Sequence, residues 1–251
     1  MNGIMEMRGV TVSFDGFKVL DNLDFAIGYN ELRFLIGPNG AGKSTLLDIM
    51  TAKTRPDSGK VVFDGGINVT RTSEYQLVRD GVGRKFQTPS VFGSLSVYEN
   101  LEAAIGFKTP VYKLTGQLSG EQKDKIDEIL ELTNLKDRRD LGAGILSHGQ
   151  KQWLEIGMLL TQEPKLLLLD EPVAGMTRKE RDHTGELIQR IGKNRSVLVV
   201  EHDMVFVRQF ATTVTVLHMG KLLCEGAVEM VQADEQVIEV YLGRGRQRQA
   251  A

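Results

Sequence analysis

Residues 37–45 read Gly-Pro-Asn-Gly-Ala-Gly-Lys-Ser-Thr, which meets the spacing G-x-x-x-x-G-K-[ST] at Gly37, Gly42, Lys43 and Ser44. The setting agrees with the motif. Leu32-Arg33-Phe34-Leu35-Ile36 before it is short and apolar, as a buried strand would be, and Leu46-Leu47-Asp48-Ile49-Met50 after it reads as a helix. A strand, a glycine loop and a helix N-terminus make an anion site, because backbone N–H groups converge there and the helix dipole favours negative charge. A Cβ would hold the backbone off the ligand and forbid left-handed turns, hence the glycines. The run Gly37, Pro38, Asn39, Gly40, Ala41, Gly42, Lys43, Ser44 and Thr45 is therefore expected to cradle phosphates. Lys43 would reach the β- and γ-phosphates, and the Ser44 hydroxyl would ligate Mg²⁺. A plain glycine-rich turn has no packing use for Gly-Lys-Ser-Thr here, so the expected ligand is a nucleoside triphosphate.

The 251 residues are 41% apolar and 25% charged, ordinary for a soluble globular chain. That length suits one large α/β domain or a core with an inserted subdomain. A formal net charge of −2 supplies no global field to recruit nucleic acid. The one basic cluster is the tail with Arg244, Arg246 and Arg248, read as solvated, with anionic-lipid contact as the alternative. A single cysteine, Cys224, excludes an internal disulfide framework and a cysteine metal cluster, and its apolar surroundings predict burial. Met1 to Arg8 lacks the apolar centre of a signal peptide, and no apolar run approaches the roughly 20 residues that cross a bilayer. A cytoplasmic protein is expected, with any membrane association provided by a partner.

Along the chain, residues 4–14 and 17–28 alternate apolar and polar around Asp15-Gly16, which predicts a β-hairpin. Phe14 at its tip could pack in the core or stack on a base. Lys60–Phe63 and Val82–Phe86 read as further strands, the second leading to Gln87. Residues 88–165 change character: capping boxes at Ser96-x-x-Glu99 and Ser119-x-x-Gln122 predict helices, and few strands are visible. Strands resume at Leu166–Asp170, Ser196–Val200, Thr213–Leu217 and Lys221–Cys224, with helices expected over 178–191, from Asp203, and over Glu235–Leu242. Strands alternating with helices predict a mainly parallel sheet covered on both faces.

Four leucines ending in Asp170-Glu171 put two carboxylates at the carboxyl end of a buried strand, the edge where open α/β sheets bind ligands. Asp170 fits a Mg²⁺ partner, and Glu171 fits the residue that orients or deprotonates water. A solvated acidic turn is the alternative for the pair alone; the upstream phosphate loop argues against it. His202 ends the next apolar strand, placed either as a satisfied structural group or as a hydrogen-bond partner of the γ-phosphate. Gln87 ends a third and could complete the metal and water shell. Leu146-Ser147-His148-Gly149-Gln150 opens an apparent helix running through Trp153 and Ile156.

With that last motif the chain resembles the ATP-binding cassette (ABC) ATPases. Their phosphate loop, glutamine-ended strand, Leu-Ser-Gly-Gly-Gln signature, Asp-Glu strand end and switch histidine occur here in the same order, over about Ile4 to Gly243. The resemblance implies a P-loop NTPase core with an antiparallel β subdomain and an inserted helical subdomain. In these terms 1–87 and 166–243 form the core, 88–165 the helical signature subdomain, and 244–251 a basic tail. It also implies ATP and Mg²⁺ as cofactors, Phe14 as the adenine-stacking ring, Glu171, His202 and Gln87 as catalytic groups, and Ser44, Gln87 and Asp170 around the metal. Cassettes of this family pair head to tail, so Ser147, His148, Gly149 and Gln150 would meet the nucleotide of a second ATPase subunit, the same chain or a similar one. Two departures stand out. His148 occupies a usual glycine position and must point away from the nucleotide or alter the geometry, and Thr177 takes a usual aspartate position in the loop after Asp170-Glu171.

The stretch Leu146–Leu160, the segment Asp170–Thr177 and the ending Val240-Tyr241-Leu242-Gly243 are similar to branched-chain amino-acid uptake ATPases, and most of all to their urea-transport relatives. This likeness implies a role powering an importer, with urea as the expected cargo; a branched-chain amino-acid importer, a lipid exporter and a non-transport cassette are the alternatives. It further implies permease subunits docking near Thr88–Leu101, where Val91, Phe92, Leu95 and Tyr98 either line that groove or pack the subdomain. No residue is expected to touch the cargo, and the chain is expected on the inner face of the cell membrane.

Overall fold

The computed structural model describes residues 3–108 and 118–240. Tyr241 to Gly243, the Arg-rich tail and residues 109–117 of the expected helical region lie outside the described residues. The chain begins with strand β1 (Met5–Phe14) and β2 (Phe17–Ile27), joined at Asp15-Gly16, where φ values of 49° and 81° make the tight turn. Then come β3 (Leu32–Ile36), the phosphate-loop helix α1 (Lys43–Met50), β4 (Ser58–Phe63), β5 (Ile67–Asn68), α2 (Glu74–Asp80) and β6 (Val82–Lys85). Helices α3 (Val97–Ile105), α4 (Gly120–Leu132) and α5 (His148–Thr161) follow. The remainder is β7 (Leu166–Asp170), α6 (Arg178–Gly192), β8 (Ser196–Val200), α7 (Met204–Phe210), β9 (Thr213–His218), β10 (Lys221–Ala227) and α8 (Val228–Ala233).

Two sheets carry the strands. The smaller is antiparallel, in the order β2-β1-β4-β5, and the larger runs β10-β9-β3-β8-β7-β6. Within the larger sheet β9, β3, β8, β7 and β6 are parallel, and β10 alone is antiparallel, against β9. The apolar runs are continuous because both faces are covered. Phe34, Leu167, Leu169, Val197 and Val199 point into one core with α5, α6 and α7. Leu35, Leu166, Leu168, Leu198 and Val200 point into another with α1 and the small sheet. Each such side chain is worth roughly 1.5–3 kcal/mol when fully buried. Period-two packing on both faces therefore fixes the register that brings the strand ends together.

Both anticipated capping boxes form, at Ser96/Glu99 on α3 and Ser119/Gln122 on α4. Five expectations need correction. Helix α2 was not anticipated although Ser73-x-x-Gln76 announces it, the Ser73 side chain accepting from the Gln76 N–H at 3.3 Å. Helix α8 has no side-chain cap, so it left no comparable signal. Strand β6 stops at Lys85 and β8 at Val200, so Gln87 and His202 sit two residues beyond their strands, on the following loops. Cys224 is half-buried on the edge strand β10, not in the core.

Candidate nucleotide site

The phosphate loop leaves β3 at the middle of the large sheet, between β8 and β9. Its shape depends on glycine at two points. A Cβ on Gly37 would lie 2.2 Å from the Leu217 carbonyl oxygen, and one on Gly42, at φ 104°, would lie 2.7 Å from Leu20 Cδ2. Gly220 N–H donates to the Ala41 carbonyl at 3.0 Å and ties the loop to the turn between β9 and β10. Gly42 caps α1 without a side chain, so the first N–H groups of that helix stay directed at the loop. Lys43 Nζ donates to the carbonyls of Gly37 at 2.6 Å and Pro38 at 3.1 Å. The ammonium thus lies across the loop that would hold the phosphates.

A cleft of about 400 Å³ opens over this loop, lined by Phe17, Val19, Asn39 to Thr45, Asp170, Glu171 and Val200. Ser44 and Asp170 face it together, as a hydroxyl and a carboxylate. Phe14 is half-exposed and pairs directly with Phe17 across the hairpin tip; Phe17, 72% exposed, is the ring on the cleft wall. The signature residues do not line this cleft.

Parallel register carries three strand ends to the same edge: Lys85 pairs with Leu169, and Asp170 with Val200. There Glu171 gathers the groups named from the sequence. Gln87 Nε2 donates to one carboxylate oxygen at 2.7 Å, and His202 Nδ1 lies 3.3 Å from the other. The Glu171 N–H donates to the Val200 carbonyl at 3.0 Å, with φ at 46°. A left-handed glutamate costs about 1–3 kcal/mol, and such strain concentrates where a side chain must be aimed.

Four supporting residues were missed in the sequence. Arg84, with a side chain 6% exposed, reaches Asp48 on α1 at 2.5 Å and Asp170 at 3.4 Å, and stacks over Phe86. Burial pushes the Asp170 carboxyl up from its ordinary range, and the Arg84 charge works against that shift. Glu201, 1% exposed and raised by burial, accepts from the N–H groups of Val173, His202 and Asp203. It therefore fixes the loop after Glu171 and the main chain of His202 together. Gln152 on α5 donates to the Gln87 carbonyl at 3.3 Å. Glu180 accepts from Ser147 Oγ at 3.0 Å and from Thr177, whose side chain caps α6. Gly149 is required beside that carboxylate, because a Cβ there would meet Glu180 Oε1 at 2.6 Å. His148 turns towards the loop after Glu171: its Cδ2 and Nε2 lie 3.6 Å from where a Cβ on Gly175 would stand. Of these four, only Glu180 left a visible signal, the Thr177-x-x-Glu180 capping box.

The chain matches known proteins over almost its whole length. The sequence profile of the ABC transporter family matches residues 20–174, and that of the branched-chain amino acid ATP-binding cassette transporters matches residues 221–246. The high-affinity branched-chain amino acid transport ATP-binding protein BraF of Pseudomonas aeruginosa is 31% identical, over 96% of this chain and 98% of its own. The lipopolysaccharide export system ATP-binding protein LptB of Haemophilus influenzae is 32% identical, over 96% and 97%. The ADP conformation of an ATP-binding cassette of an ABC transporter superimposes with a TM-score of 0.83 at 30% identity, covering 96% of this chain and 98% of that one. A dimeric bacterial ABC transporter cassette gives 0.76 at 26% identity, covering 89% and 98%. The matched range takes in the phosphate loop, Gln87, the start of α5 and the Asp170-Glu171 strand end: this chain belongs to the ABC transporters, as one of their ATP-binding cassettes.

Proposed function

We propose that this cassette powers an importer of the branched-chain amino-acid type by hydrolysing ATP at a site that a second cassette completes. The observation that carries the reading is the Glu171 carboxylate, held between Gln87 Nε2 and His202 Nδ1 at the rim of the phosphate-loop cleft. Both oxygens are oriented, so Glu171 can align a water and take its proton as the bond to phosphorus forms. His202 and Gln87 hold that carboxylate, and each stands within reach of a γ-phosphate seated on Gly37–Thr45. Lys43 would exchange one of its loop carbonyls for a phosphate oxygen.

Ser44, Asp170 and the amide oxygen of Gln87 suit Mg²⁺, a hard cation that takes oxygen ligands. Among the described residues no cluster of three or more His, Cys, Asp or Glu forms a cage, which fits a cation that shares its shell with substrate phosphates. Bound there, it would neutralise charge developing on the phosphates. The base would lie against the hairpin tip, on Phe14 with Phe17 beside it.

The signature lies outside the cleft of its own chain, which supports contact in trans: Ser147, Gly149 and the start of α5, with Gln150 completing the Ser147 capping box, would face the nucleotide of a partner cassette, identical or similar. Residues 88–165 would move as one subdomain against the core formed by 1–87 and 166–243. Exposed Phe86 and Phe92, near Thr88–Leu101, offer apolar contact to a permease helix at the inner membrane face. No helix among the described residues is long and apolar enough to cross a membrane. The BraF relative and the residue 221–246 profile support the branched-chain amino-acid class. Urea is a narrower reading that rests on the likeness of Leu146–Leu160, Asp170–Thr177 and Val240–Gly243, and neither the BraF relative nor the residue 221–246 profile adds to it. Lipid export is the second reading, favoured by the LptB relative.

Glu171→Gln tests the chemistry. ATP affinity should hold while turnover falls about 10²–10⁴-fold, the usual worth of a positioned base; hydrolysis at the wild-type rate would remove Glu171 from its role. Cargo class is read separately, by isolating the membrane subunits that co-purify with the chain and measuring uptake.

A further inference from the structure

The signature position where glycine is usual carries a histidine, and its contacts lead back to the catalytic carboxylate of the same chain. His148, Gln152 and Glu155 lie at i, i+4 and i+7 of α5, on one face of that helix. Gln152 is fully buried, and its Nε2 is shared between two neighbours: the Gln87 carbonyl at 3.3 Å and His148 Nε2 at 3.2 Å. A side-chain amide has two N–H donors, so both contacts can be made at once if His148 Nε2 accepts and its proton sits on Nδ1. One turn further on, Glu155 faces Lys85, which is 0% exposed, at 3.9 Å, and Lys85 Nζ donates to the Phe86 carbonyl at 2.8 Å. Gln152 thus holds the Gln87 carbonyl directly, and Glu155 faces the lysine that holds the carbonyl before it. The side chain that leaves it next, Gln87, holds Glu171 at 2.7 Å.

Stability does not account for this arrangement. Gln152 Oε1 and Glu155 Oε2 are buried without a hydrogen-bond partner, and each such acceptor costs about 1–3 kcal/mol. A buried ion pair can often be replaced by apolar side chains without loss. What the polar set provides is direction, since a donor aimed at one carbonyl fixes the path of Gln87 in a way that an apolar contact cannot. Without a side chain at 148, one donor of Gln152 would have no acceptor on α5, and the amide could rotate away from Gln87.

We infer that His148 is a positioning residue for the hydrolytic step, acting through Gln152 and the Gln87 main chain to hold the Gln87 side chain on Glu171. The inference rests on the proposed role of Glu171. It makes the signature helix answerable to two sites: the partner's nucleotide through Ser147, and its own chain's carboxylate through His148.

Three variants of the full chain test it: His148→Phe, which keeps a ring against Gly175 and removes the acceptor, Gln152→Met, and the two together. Each single change should lower kcat about tenfold, a small share of what misplacing a catalytic group can cost, with KM for ATP unchanged. The double variant should be no slower than either single one, because both break the same relay. A multiplied loss of about a hundredfold, an unchanged kcat, or a rise in KM alone would overturn the inference. Gln152 is buried, so if Gln152→Met fails to fold the exposed His148→Phe decides alone. Amide hydrogen exchange over residues 85–90 gives a readout independent of turnover, expected to speed up in His148→Phe; unchanged exchange counts against the relay. A wild-type chain that does not hydrolyse ATP even together with the cassette and membrane subunits that co-purify with it would refute the proposed function instead, while the exchange result would still judge the relay.

Discussion

Replacing Arg84 with leucine separates the phosphate-loop helix from the strand that bears Asp170. The guanidinium joins Asp48 at 2.5 Å to Asp170 at 3.4 Å from a side chain only 6% exposed. Removing one partner of a buried pair costs about 3–5 kcal/mol, because the other charge is left without compensation. Two features reduce that figure here. Asp48 is a quarter exposed and keeps Lys53 at 3.7 Å, and Asp170 can shed the penalty by taking up a proton. A loss of about 2–3 kcal/mol is expected at pH 8, or about 5–10 °C in Tm for a chain of this size.

The pH dependence gives the sharper test. Burial already raises the Asp170 carboxyl above its ordinary value, with Arg84 opposing the shift. A carboxyl whose folded pKa exceeds its unfolded one binds protons more tightly in the folded state, so its contribution to stability falls as pH rises through that window. Arg84→Leu raises the folded pKa further. Its deficit against wild type should therefore be small near pH 5 and grow towards pH 8. Thermal scans of both proteins across that range measure it. A deficit below about 1 °C, or one that does not change with pH, would refute the account, since 1 °C is well under 1 kcal/mol here.

Two other outcomes follow from the same geometry. Replacing both Phe14 and Phe17 with alanine should raise KM for ATP about tenfold, within the roughly 1–3 kcal/mol that base–aromatic stacking supplies, and leave Tm unchanged because both rings are exposed. An unchanged KM would place the base elsewhere, and the single variants would divide the effect between the rings. Glu155 is pushed up to about 6 by burial, so wild-type stability should fall by about 1.5 kcal/mol between pH 4.5 and 6.5 through this group. The paired change Lys85→Met with Glu155→Leu should reduce the measured slope in urea denaturation by that amount, the rest coming from Asp170 and Glu201; an unchanged slope would mean the carboxyl is not desolvated as its position indicates.

The phosphate loop is readable from the chain because its chemistry is local: glycines, lysine and serine act within nine consecutive residues, and the strand before and helix after carry their own periodicity. Asp170 and Glu171 are readable because a buried strand ends on them. Arg84, Gln152, Glu180 and Glu201 act instead on residues 28 to 86 positions away, and an isolated arginine or glutamine in an apolar stretch carries no mark of what it will meet. The same limit explains the strand ends. Hydropathy carries β6 through Phe86, but Phe86 is 44% exposed under the guanidinium of Arg84, and the ladder with β7 stops one residue earlier. Cys224 reads as core from its apolar neighbours because the edge position of β10 depends on sheet order, which the local pattern does not encode.

The strand ends also divide the site into a fixed part and an adjustable part. Gly37, Gly42 and the Ala41–Gly220 bond lock the phosphate loop against β2 and the β9–β10 turn through main-chain contacts with no room for a Cβ. The catalytic groups are held differently. Gln87 and His202 stand beyond their strands, and side chains set their main-chain paths: Gln152 on α5 for the first, and the preceding residue, Glu201, for the second. Glu171 is kept in an unfavourable backbone conformation between them. A rotation of α5 would leave the phosphate loop in place and shift Gln87 with its grip on Glu171. If a partner cassette engages Ser147 as proposed, binding and hydrolysis can be separated in time, since nucleotide could seat on the rigid loop before the carboxylate reaches its working position. On the proposed mechanism, setting Glu171 between two loops held by side chains is what would let a second cassette govern turnover.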